Sequence, residues 1–156
     1  MSHVLRVGRA GRLLVARLRH GCDLVEGLRS IASEAGIEGG LIVVGVGLLA
    51  EARLRNCTQM PKEFPITDED RLYSTHRGPL EILSLSGSIS RAEGRLYVHC
   101  HAIFSYVEEG EVRVVGGHLI EGCRVHGFAE IAVLEVEGVE MERGFDELTK
   151  RLQLFA

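Results

Sequence analysis

The chain has 156 residues, 46% of them hydrophobic and 26% charged, with a formal net charge of −4. That length suffices for one domain with a buried core, and that charge supplies no general drive toward nucleic acid or an anionic membrane. No apolar run approaches the ~18–20 residues that span a bilayer, and the start "MSHVLRVGRAGRLL" lacks the continuous apolar segment of a secretory signal, so a cytoplasmic protein is expected.

"RLLVARLRH" (12–20) predicts a first strand. "CDLVEGLRSIASEAGIEGG" (22–40) then switches to helical spacing, with Leu24, Val25, Leu28, Ile31, Ala32 and Ala35 on one stripe. Asp23 suits the N-cap, with Glu26 three residues on as its reciprocal partner, and Gly36 suits the left-handed residue that ends a helix. "GGLIVVGVGLLAEARL" (39–54) is rich in strand formers, and Gly45 and Gly47 within it suggest a bulge or a close backbone approach. "RNCTQMPKEFPITDEDRLYSTHRGP" (55–79) reads as a long polar excursion with one short strand. "LEILSLSGSISRAEGRLYVHCHAIFS" (80–105) reads as two strands separated by a Gly-bearing hairpin signal, and "VRVVGGHLIEGCRV" and "GFAEIAVLEVEGVEM" as further strands. The tail "GFDELTKRLQLF" (144–155) predicts a short closing helix. The expected fold is α+β: mostly antiparallel β-sheet with one main helix (about 23–35) packed on it and a short C-terminal helix or tail, as a single domain over 1–156.

Charge is unevenly spread. Arg6, Arg9, Arg12, Arg17 and Arg19 stand in the first 20 residues without an acid, whereas the stretch from Glu130 to Glu147 is strongly acidic. Cys22, Cys57, Cys100 and Cys123 show no CxxC spacing and read as reduced thiols, Cys100 and Cys123 packing as small hydrophobes.

The chemistry concentrates in "LYVHCHAIFSYVEEGEVRVVGGHLI" (96–120). Strand side chains alternate faces, so His99 and His101 point one way and Cys100 the other. If "EEGE" (108–111) closes a hairpin, Val107 pairs with Val112, Ser105 with Val114, Ile103 with Gly116, and His101 falls opposite His118. Opposed residues share a face with Cβ atoms ~4.5–5.5 Å apart, so this register gathers His99, His101 and His118 on one patch. Neutral imidazoles suit zinc and related divalent ions, and three of them with a fourth position open is the arrangement of catalytic zinc. Gly116 and Gly117 leave room beside the cluster. A lone HxH pair on a strand is more often a polar outer face; the third histidine is what lifts this one above that reading. Glu130, inside "GFAEIAV", is a candidate to orient one ring through its second nitrogen. His3, His20, His76 and His126 do not stand at ligand spacing from one another in the sequence.

Together, "GCDLVEGLRSIASEAGI", "GPLEILSLSGSIS", "VHCHAIFS", "VVGGHLIEGCRV" and "FAEIAVLE" resemble the plant and prokaryote conserved (PPC) domain, in order and spacing over roughly Leu13 to Leu154. The resemblance implies an α+β fold with one helix on antiparallel sheet, a homotrimer, and a metal-binding role for His99, His101 and His118 as in stand-alone prokaryotic members. Cys22 precedes Asp23 where the family usually carries an acidic pair. Plant relatives join the domain to an AT-hook; here "GRAGR" (8–12) lacks that element's proline.

Three functions compete. The first is a trimeric domain binding a divalent metal, zinc being the leading candidate, or a small ligand; if it is catalytic, a His-bound zinc would lower the pKa of a water toward ~7. No Ser–His–Asp set, phosphate-cradling loop or paired acid–base motif stands out, so whether the chain is an enzyme stays open. The second is DNA binding through the N-terminal arginines, which would contact phosphates without reading sequence. The third is a pure assembly module in which the histidines are incidental.

Overall fold

The computed structural model describes residues 3–156. Eight strands form one sheet: β1 (Arg9–Arg19), β2 (Gly40–Cys57), β3 (Arg71–Ala92), β4 (Arg95–Glu108), β5 (Glu111–Leu119), β6 (Arg124–Glu137), β7 (Glu142–Asp146) and β8 (Arg151–Leu154), in the order β1-β6-β2-β5-β4-β3-β7-β8. β2 also pairs with β3, so β2, β5, β4 and β3 close into a ring.

Among the described residues the single α-helix, α1, runs Leu24–Ala35. Asp23 caps it, its Oδ1 accepting the Glu26 amide at 2.9 Å, and Gly36 ends it in the left-handed conformation at φ 65. Leu24, Val25, Leu28 and Ala32 are buried, joining Leu18, Leu49, Leu54, Leu80, Cys100, Phe104 and Ile131 in one hydrophobic core. On β4 the alternation is strict in its middle: Val98, Cys100, Ala102 and Phe104 face that core, which leaves His99, His101 and Ile103 on the opposite face.

The expected α+β class does not hold. One 12-residue helix stands against eight strands, and the protein is mostly β. The sheet is mixed, because β7 runs parallel to β3 through Arg91↔Glu142 and Ala92↔Arg143. The predicted closing helix is instead the β7–β8 hairpin, with Arg143↔Leu154 through Asp146↔Arg151 in register. Its turn explains the error. The Asp146 carboxylate accepts both the Thr149 amide and the Thr149 hydroxyl at 2.7 Å, the Lys150 amide donates to the Asp146 carbonyl at 2.8 Å, and Lys150 takes φ 53. These bonds start one helical turn as a cap does, and Lys150 in the left-handed region ends it there, so the chain turns back as a strand. Leu148, which completes a helical spacing with Phe145 and Leu152, is 75% exposed.

The polar excursion is also shorter than its sequence suggests. β2 continues to Cys57 and β3 starts at Arg71, leaving 58–70 with a 3-10 turn at Asp68–Asp70. Pro79 sits where the β2–β3 register breaks, between Leu49↔Leu80 and Glu51↔Arg77, a place that does not require its missing N–H.

Candidate metal centre

The β4–β5 hairpin sets the site. Its register runs Glu108↔Glu111, Val107↔Val112, Ser105↔Val114, Ile103↔Gly116 and His101↔His118. The loop is thus only Glu109–Gly110, and both residues have positive φ (52 and 79), the requirement of a type I′ turn. Such a turn fixes the pairing, and a slip of one residue would have carried His118 to the other face.

His99, His101 and His118 converge. Each offers a ring nitrogen within 4.8 Å of the others, and the ring centroids are 5.0–5.3 Å apart. The Nε2 atoms of His99 and His101 stand 3.3 Å apart. Two nitrogens bonded to zinc at about 2.0–2.1 Å in a tetrahedral arrangement would be about 3.3–3.4 Å apart, so this spacing fits an ion held between them.

The surroundings keep two of the rings neutral, as ligands must be. Burial, reinforced by the Arg55 guanidinium, pushes His118 down to about 3. Burial, with Arg143 the next cause, also lowers His99. Arg55 lies directly opposite His118 where β2 meets β5. Arg143 is itself buried, donating to Ser90 Oγ at 3.0 Å and Ser88 Oγ at 3.3 Å, approaching His99 Nδ1 at 3.4 Å and lying 5.0 Å from the Tyr97 ring centroid.

The double glycine has a specific task. A Cβ on Gly117 would come within 2.3 Å of Asn56 Oδ1, and Asn56 Nδ2 donates to the Gly116 carbonyl at 3.1 Å. The bare backbone therefore lets Asn56 lie across β5 next to His118. The two segments whose structure differs from expectation supply the walls: Phe64 and Ile66 from the 58–70 excursion, and Thr149, Arg151 and Gln153 from the terminal hairpin, enclose a cavity of about 370 Å³ over the histidines.

Glu130 stands elsewhere, exposed on β6 opposite Arg17 and Val46. The side chain that reaches His99 is Arg143, which falls between the strand read to Met141 and the helix read from Gly144 and so was given no role; it stands on a strand beside β3. The sequence also gave no reason to join His20 and His126, whose ring centroids are 5.2 Å apart across the β1–β6 end. Cys100 and Cys123 are buried thiols, and burial raises them to about 12 and about 11.

Residues 5–137 match the Plants and Prokaryotes Conserved (PCC) domain. Among curated proteins, the bifunctional protein GlmU of Synechococcus sp. (strain JA-3-3Ab) is 34% identical over 143 residues, 92% of this chain; the chain spans only 20% of that protein's length. Among solved structures, a metal-containing protein of Archaeoglobus fulgidus is similar at 27% identity and TM-score 0.80, with 99% of this chain and 100% of that one covered. A plant- and prokaryote-conserved protein of Pyrococcus horikoshii is similar at 28% identity and TM-score 0.77, with 96% of each chain covered. The chain belongs to the Plants and Prokaryotes Conserved domain family.

Proposed function

We propose that this chain is a single domain that holds a divalent metal ion, zinc suiting the donors best, through His99, His101 and His118, and that it works as a cytoplasmic homotrimer. The observation that carries the metal reading is the 3.3 Å separation of the His99 and His101 Nε2 atoms, with a His118 nitrogen close by. An all-imidazole donor set, with two rings kept neutral, favours zinc and its neighbours over magnesium or calcium, which prefer oxygen. The metal-containing relative from Archaeoglobus fulgidus lends support. When bound, such an ion supplies a Lewis-acidic centre able to lower the pKa of a water toward about 7. The protein's own part is to fix the rings: the type I′ turn holds the register, Asn56 braces β5, and Arg143, anchored by Ser88 and Ser90, lies behind His99.

Assembly draws support from the outer sheet face. Val15, Ala132 and Val44 form one row across β1, β6 and β2, and Leu13, Leu134 and Leu41 form another. Val15 is 76% exposed and Leu13 62%, an unusual arrangement unless other copies cover them. Among the described residues no helix is long and apolar enough to cross a membrane, and all four cysteines are free thiols, as a reducing compartment would have them.

The DNA-binding alternative finds less support. Arg12 forms a bidentate pair with Glu135 (2.7 and 2.9 Å) and Arg9 pairs with Glu137 at 2.8 Å, so the acidic β6 offsets the basic N-terminal stretch. The test of the main reading is elemental analysis of untagged protein together with sedimentation equilibrium. One divalent ion per chain in a trimer supports it; metal-free protein that neither takes up added zinc nor melts differently after chelation refutes the metal part, and a monomer refutes the assembly.

A further inference from the structure

The cavity over the histidines is cationic in a way that metal ligation alone does not require. Three guanidiniums line it, those of Arg55, Arg71 and Arg151, and among the described residues no carboxylate does. Arg71 is paired from outside the lining by Asp68 at 3.0 Å, and Arg151 is anchored to the Ile66 carbonyl. Arg55 is half-buried, stands opposite His118, and makes no ion pair or side-chain hydrogen bond among the described residues. A partly desolvated guanidinium beside two other cations, and beside a site suited to a dication, carries an uncompensated electrostatic cost. An anion seated among them would remove that cost, and guanidiniums present the planar fork that matches carboxylate and phosphate oxygens.

We propose that the cavity is a binding site for a small oxyanion ligand, a carboxylate or phosphate monoester with a short apolar body, whose head is held by Arg55 and Arg151 beside the three histidines and whose body lies against Phe64 and Ile66. The inference deepens the metal-site reading and rests on it for the nature of the site. The volume, about 370 Å³, admits a molecule about the size of a substituted benzene ring, and Phe64 and Ile66 give it an apolar wall.

Titration calorimetry on the full chain tests it with three probes of one shape: benzoate, phenyl phosphate and the neutral benzamide. Zinc is titrated first, alone, so that a failure of metal binding is recorded separately from a failure of anion binding. The expected result is that at least one anion binds the zinc-loaded protein and benzamide does not. Arg55→Gln is expected to weaken the anion by about tenfold or more, the scale of one charge-assisted hydrogen bond, with zinc stoichiometry unchanged and Arg55→Lys intermediate. The tighter of the two anions identifies a carboxylate or a phosphate as the natural head group. Should Arg55→Gln fail to fold, Arg151→Gln replaces it. The inference is overturned if zinc binds but neither anion binds better than benzamide, or if anion affinity is the same in wild type, Arg55→Gln and Arg151→Gln.

Discussion

His101 on β4 and His118 on β5 are cross-strand partners, and His99 lies two residues before His101 on the same face. Three imidazoles among valines and isoleucines are thereby brought together by backbone pairing, with no need for a long-range loop. Removing one ring from such a set leaves two ligands, too few to hold an ion tightly. Even the loss of an outer hydrogen-bond partner typically costs 10–100-fold in metal affinity. His118→Ala and His101→Ala should each lower zinc affinity by at least about 100-fold in a competition titration with a chromophoric chelator. His126→Ala, at the β1–β6 end of the sheet, should leave it unchanged.

The pH response of the metal-free protein follows from the same rings. His118 and His99 have folded-state values below the ordinary histidine range, so the unfolded chain binds more protons than the folded one in the interval between. Their contribution to stability is therefore complete above the unfolded value near 6.5 and is lost as pH falls below it, for His118 down to about 3. Urea midpoints of chelator-treated protein should drop between pH 7.5 and 5, and His118→Gln should flatten that drop.

Gly117→Ala tests the brace. The added Cβ would meet Asn56 Oδ1 at 2.3 Å, forcing Asn56 off the Gly116 carbonyl or displacing β5. Overpacking of this kind costs about 1–3 kcal/mol, and zinc affinity should fall with it because His118 is the next residue. The comparison with Gly110, where a Cβ would meet nothing but φ is 79, separates steric pressure from turn strain: Gly110→Ala should destabilise the hairpin through backbone strain alone.

How much of this could be read from residue order differs by segment. The helix over Leu24–Ala35 was legible because its cap, stripe and terminating glycine all pointed to one answer. The His101↔His118 register was legible because "EEGE" permits few hairpins. The β7–β8 hairpin was not: Phe145, Leu148 and Leu152 have helical spacing, and only the left-handed Lys150 and the pairing of β7 beside β3 decide against it. Arg55, Arg143 and Arg151 were invisible as site residues for the same reason. They reach the histidines through the closure of the β2–β5–β4–β3 ring and the fold-over of the terminal hairpin, neither of which leaves a local signature.

Asp23 links helix to sheet more firmly than a cap alone would. Besides capping α1, its Oδ2 accepts the Gly122 amide at 2.6 Å. Losing a cap costs about 0.5–2 kcal/mol, and a second charged acceptor adds to that. Asp23→Ala should lower unfolding free energy by about 2 kcal/mol or more in urea titration, with zinc stoichiometry unaffected because Asp23 stands apart from the three clustered histidines.

The most direct measurement is an anomalous difference map, at the zinc edge, from crystals of untagged protein grown with one equivalent of zinc. One peak per chain at about 2.0–2.1 Å from a nitrogen of each of His99, His101 and His118 is the predicted result. Rings turned away from one another, or all bonded to main-chain carbonyls with the peak elsewhere or absent, would contradict it.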